Sequence, residues 1–159
     1  MGDADRIIVR AGAQDLGGPA GIHTIRLYGF LSFPVFQDLI RRLDYALSTD
    51  ATVQAVVIDG LEIDGFEPGI PARLVQWLGN NSAQVRVAVL ATLSPVLTAT
   101  VRAAELLLRE TALGVAPTRG EAQYVAQHLL STRVRATTGT RPRSTTGERP
   151  TRKASGSAE

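Results

Sequence analysis

Apolar residues along this chain fall into two alternating rhythms. Short β-type runs are Arg6–Arg10, His23–Tyr28, Val53–Asp59, Val85–Leu90 and Thr111–Val115. In the second, Ile22, Thr24, Arg26 and Tyr28 share one face while His23, Ile25 and Leu27 share the other, the period-2 pattern of a strand. The third, Val-Gln-Ala-Val-Val-Ile-Asp, is nearly continuous and β-branched, as in a strand buried on both faces. Helical spacing fills the intervals. Phe36, Leu39, Ile40, Leu43, Ala46 and Leu47 make one stripe, opened at Ser32 or Phe33 with Pro34 in the first turn. Ile70, Leu74, Trp77 and Leu78 make a second, closed by Gly79-Asn80-Asn81. Leu97, Val101, Ala104 and Leu108 make a third behind the cap Ser94-Pro95. Ala122, Val125 and Leu129 follow the capping-box pattern Thr118–Glu121.

Glycine, proline and acidic residues mark two connections, Ala11–Gly21 and Gly60–Gly69, as loops. The resulting order, β-β-α-β-α-β-α-β-α, predicts an α/β domain: a mixed sheet of four to five strands with about four helices. From about Thr132 periodicity vanishes among Thr, Arg, Ser, Gly and Pro. Residues 1–131 therefore read as one domain and 132–159 as a disordered basic tail.

Charge sharpens that division. Residues 133–159 carry seven basic and two acidic side chains, a net of +5; the other ten basic and thirteen acidic side chains leave the body at −3. The basic pI thus belongs to the tail, and a nucleic-acid-binding body is not expected. The tail itself holds no aromatic residue for stacking on bases. Cysteine is absent, which excludes disulfides, thiolate metal sites and cysteine nucleophiles. The polar start Met1–Arg6 is not of signal-peptide type, and no apolar run approaches a membrane span, so a cytoplasmic protein is expected.

Asp59, Glu62, Asp64 and Glu67 place four carboxylates within nine residues. Their spacing is not that of an EF-hand, and neither His23 nor His128 is nearby in sequence. Phosphate-loop and nucleophile-elbow motifs are missing. An acidic docking loop at the carboxyl edge of the sheet is the preferred reading, with no catalytic residue, metal or cofactor expected.

The order of elements and several landmarks resemble the STAS domain, the sulphate-transporter and anti-sigma-factor-antagonist family. Leu27-Tyr28-Gly29-Phe30-Leu31 resembles its L-x-G-x-L/I edge before the first helix, and Val56-Val57-Ile58-Asp59 its V-V-L-D strand. Gly69 resembles the glycine opening its second helix, and Val87–Leu90 with Ser94-Pro95-Val96 its fourth strand and third helix. The resemblance spans about residues 6–130. It implies a protein-docking module whose partner surface comprises Asp59, Glu62, Asp64, Phe66, Glu67, Pro68, Gly69 and Arg73. Implied partners are an anti-sigma factor with a kinase-type ATPase fold or another STAS protein. An accessory cytoplasmic subunit of a lipid-transport ABC complex is the alternative. A crotonase-like cadence over Ala46–Gly60 ranks last, because the chain is short for that fold and lacks a second glycine-rich segment after Leu90.

The chain departs from the family where regulatory members read D-S-S-G with a phosphorylated serine. Here the four residues are Phe66-Glu67-Pro68-Gly69, and no serine or threonine lies between Asp59 and Gly69. Phosphorylation at this loop is therefore not expected. Glu67 would stand near the missing phosphoserine, either as a fixed negative charge at the second helix's N-terminus or as a simple first-turn cap.

Overall fold

A computed structural model of the chain describes residues 11–138, with side-chain surroundings as far as Arg133. The elements are β1 (Gly12–Gly17), β2 (Ile22–Leu31), α1 (Phe33–Thr49), β3 (Ala55–Phe66), α2 (Ile70–Asn80), β4 (Val87–Ala91), α3 (Pro95–Glu105), β5 (Ala112–Ala116) and α4 (Arg119–Thr138). The strands form one mixed sheet in sequential order β1-β2-β3-β4-β5, with β1 antiparallel to β2 and the rest parallel. The α/β class and the element order agree with the sequence pattern.

Three boundaries differ from expectation. The expected strand Arg6–Arg10 lies outside the described residues, and the strand pairing with β2 is Gly12–Gly17, within the stretch read as a loop. Strand β3 does not end at Asp59; Gly60–Phe66, also read as a loop, continues it. Helix α4 runs on to Thr138, so residues 132–138 are not the start of a structureless tail. The remainder of the expected tail, 139–159, lies outside the described residues.

Sequential parallel strands joined by right-handed crossovers put every crossover helix on one side of the sheet. Helices α1, α2 and α3 accordingly share one face. Their core joins Ile25, Leu27, Val56 and Ile58 of the sheet to Phe36, Leu39, Leu43, Trp77 and Leu78. Only α4 is left for the other face. It seats Ala122 and Ala126 on Val57, Val87, Val89 and Ala91. Gly114 is needed for that seat, since a methyl group there would stand 3.0 Å from Val125.

Local signals set the helix starts. The Ser32 hydroxyl accepts from Val35 N at 3.4 Å, and the Ser94 hydroxyl from Leu97 N at 3.3 Å. Gly69, at φ +93°, turns the chain from β3 into α2 through a left-handed conformation that disfavours side chains. Among the described residues, buried polar side chains are satisfied: Trp77 Nε1 donates to Asp44 Oδ1 at 2.8 Å, and Thr24 Oγ1 accepts from Gln123 Nε2 at 3.1 Å.

Candidate functional site

Strand β4 ends opposite Asp59, whereas β2 accompanies β3 as far as Leu31↔Phe66. The outer half of β3 is therefore a two-stranded ribbon projecting from the carboxyl edge of the parallel sheet. Two bulges interrupt its pairing, between Arg26 and Tyr28 and between Gly29 and Phe30. Each inserts one extra residue into β3, which bends the ribbon and resets which face its side chains take.

The candidate residues separate into three groups along this ribbon. Asp59 is buried, 5% exposed, and faces the α4 side. Its Oδ1 accepts from Leu61 N at 3.1 Å, and its Oδ2 lies 3.6 Å from Arg119 Nε at the start of α4. It fixes the ribbon's root, and its burial leaves little surface for the docking role expected of it. Glu62 is exposed and bound to Arg26. Arg26 also donates to Gln14 Oε1 at 3.0 Å and lies 5.2 Å from the Tyr28 ring centroid. The Arg26 hydrogen bond holds the Glu62 carboxyl below its usual range, and Glu62 in turn raises Arg26. Both stay charged at neutral pH and cancel each other locally.

Asp64 is the extra residue of the second bulge; it is exposed and makes no hydrogen bond or ion pair with any described residue. Phe66 is half-buried against the α1–α2 core, and Pro68 and Gly69 are exposed. Glu67 does reach a helix N-terminus, but that of α1 rather than α2. Its Oε2 accepts from Phe33 N at 2.7 Å, while its own N–H donates to Leu31 O at 3.0 Å. The carboxylate thus supplies an acceptor that the first turn of α1 would otherwise lack. Its main-chain oxygen also accepts from Ile70 N at 3.3 Å, so one residue joins the starts of both helices. Arg73 lies over the Phe33 ring, 4.6 Å from its centroid, and closes the same junction.

Sequence reasoning missed two residues here as site residues. Phe30 is 46% exposed, standing opposite Gly65 in the ribbon; a methyl group on Gly65 would lie 3.3 Å from its ring. Arg119 lies far off in sequence, and only the topology brings it to Asp59. An aromatic directly after Gly29 was the available signal for Phe30; for Arg119 there was none.

Among the described residues no cluster of three or more carboxylates and histidines is arranged to hold a metal ion. His23 is instead paired with Asp15 at 3.0 Å, and His128 is exposed on α4. No helix among the described residues is long and apolar enough to cross a membrane. The ribbon's carboxylates are each committed to a guanidinium or a main-chain N–H, except Asp64, which stands alone.

No family model matches the chain, and no curated protein matches it in sequence. Solved structures do. An uncharacterised protein with a SpoIIAA-like fold from Shewanella loihica PV-4 is 12% identical, with a TM-score of 0.58; the match covers 74% of this chain and 95% of that one. The anti-sigma factor antagonist SpoIIAA in its unphosphorylated form is 14% identical, with a TM-score of 0.52, covering 73% and 98%. The fold is therefore SpoIIAA-like, of the STAS type. At such identities the likeness is one of fold.

Proposed function

We propose that this domain is a non-catalytic protein-docking module of the anti-sigma-factor-antagonist kind. Its docking surface comprises the outer half of β3 from Glu62, the Glu67–Gly69 turn, the first turn of α2 and the Phe30 ring. The observation that carries this reading is the ribbon itself. An exposed aromatic and an unpaired carboxylate stand together on a segment that has a neighbouring strand on one side only. Open parallel sheets commonly present their binding sites at the carboxyl edge, and exposed aromatics are the usual anchors of protein interfaces.

The partner is an anti-sigma factor with a kinase-type ATPase fold, or a second STAS-type protein. With no hydroxyl residue between Asp59 and Gly69, affinity is set by permanent carboxylates rather than by a phosphorylation cycle. Glu67 contributes by fixing the junction between α1 and α2, since its charge is already engaged by Phe33 N.

The test is affinity purification on the full chain, with mass-spectrometric identification, followed by binding measurements on the purified partner. A chain ending at Thr138 should bind it equally. Phe30→Ala should weaken binding at least about tenfold, the effect of losing an anchor worth more than about 1.4 kcal/mol. An unchanged affinity for Phe30→Ala would refute the reading, as would recovery of only proteins lacking both of these folds.

A further inference from the structure

The face shared by α1, α2 and α3 is not completely filled. Helix α2 approaches α1 most closely and α3 approaches β5, leaving a cleft between them over β3 and β4. It is a cavity of about 110 Å³. Its floor is Ile58, Ala88 and Leu90, and its walls carry Leu74 and Val75 of α2 and Leu97 and Val101 of α3. The wall residues are half-exposed, so the cleft opens to solvent between the two helices. At one end the walls converge, where a methyl group at Gly79 would stand 3.7 Å from the Leu108 side chain. At the other end Ile63 and Phe66, at the base of the ribbon, complete the lining.

The chemistry of the lining is uniform. No charged side chain contributes to it, and its one hydroxyl, on Thr100, is already donated to Val96 O at 2.9 Å. Nothing is left to bind a phosphate, a carboxylate or a sugar inside the cleft. Apolar cavities of roughly 150 Å³ stay dry and accept small hydrocarbons. Along α2 the lining runs from Ile70 to Leu78, and along α3 from Leu97 to Ala104. Each is about two helical turns, roughly 10 Å. The space is thus a slot rather than a sphere.

We propose that this slot binds a single unbranched hydrocarbon chain of an amphiphile, its polar end left outside between α2 and α3. The slot shares Ile63, Phe66, Ile70 and Pro71 with the base of the docking surface, but neither reading requires the other. The chain has two possible sources, a soluble amphiphile or a membrane lipid.

Methyl NMR of the full chain titrated with 1-octanol tests the proposal. Saturable shifts are expected at Leu74, Val75, Leu97 and Val101, with none at Val57 or Val87 beneath α4. Two variants that fill the slot, Ala104→Leu and Val101→Phe, should keep the circular dichroism of the parent. Each should weaken octanol binding at least about tenfold, because the added atoms occupy the ligand's volume. No response in the parent, shifts spread evenly over both faces, or unchanged binding in both folded variants would overturn it. Phosphatidylcholine vesicles then separate the sources. Co-sedimentation lost in the filled variants assigns the chain to a bilayer lipid; octanol binding without co-sedimentation assigns it to a soluble amphiphile.

Discussion

The two halves of β3 differ more than any two strands of the sheet. Ala55–Asp59 is hydrogen-bonded on both edges and buried on both faces. Gly60–Phe66 continues the same strand, yet it pairs with β2 alone, is broken by bulges and exposes Leu61, Glu62 and Asp64. The inner half secures the fold. The outer half inherits the inner half's rigidity and owes the core only Ile63 and Phe66. A strand that outruns one neighbour is thus an economical way to place a surface where a partner can reach it.

That contrast predicts a gradient of stability effects along one strand. Ile58→Ala, in the inner half, should lower unfolding free energy by about 2–5 kcal/mol, read by denaturant titration. A loss below about 1 kcal/mol would place Ile58 outside the close-packed core. Asp59→Ala should cost about 1–3 kcal/mol, because Leu61 N loses its acceptor at the buried root of the ribbon.

Further out, Glu62→Gln should lower the neutral-pH midpoint slightly and alter its acid dependence. Arg26 lowers the Glu62 carboxyl in the folded state, so its contribution is present above the ordinary carboxylate range. It is lost as pH falls through that lowered value. Thermal melts between neutral and acid pH should show a shallower decline in the variant. Identical acid profiles would mean the exposed pair contributes nothing, as many surface pairs do. Asp64→Ala, at the bulge, should change stability by no more than about 0.5 kcal/mol. A larger loss would show Asp64 to be structural and would blur the division between the halves.

How far the sequence revealed this architecture depends on the period of each segment. Helix α1 was legible from its stripe and its Ser32–Pro34 start, and the inner half of β3 from its β-branched run. The outer half was not. Gly60, Glu62, Asp64 and Gly65 are poor strand formers, and bulges break the alternation that betrays a strand. Strand β1 was hidden likewise, since Gly12 and Gly17 flank a short edge strand held through pairing with β2. Beyond Thr132, α4 continues without an apolar stripe, so nothing periodic marked it.

At the site, the sequence grouped Glu62–Gly69 as one docking stretch but could not rank its members. Asp59 and Asp64 look alike in sequence; their burial differs because one precedes and the other follows the end of β4. The junction formed by Glu67, Phe33 and Arg73 was equally invisible, because it joins residues more than thirty positions apart.

The most direct test of the docking ribbon is site-specific photo-crosslinking of the full chain with its purified partner. A photoreactive residue replaces Asp64 in one variant and Tyr45, exposed on α1, in another. Efficient crosslinks are expected from position 64 and few from position 45. Crosslinks from 45 with none from 64 would contradict the docking ribbon.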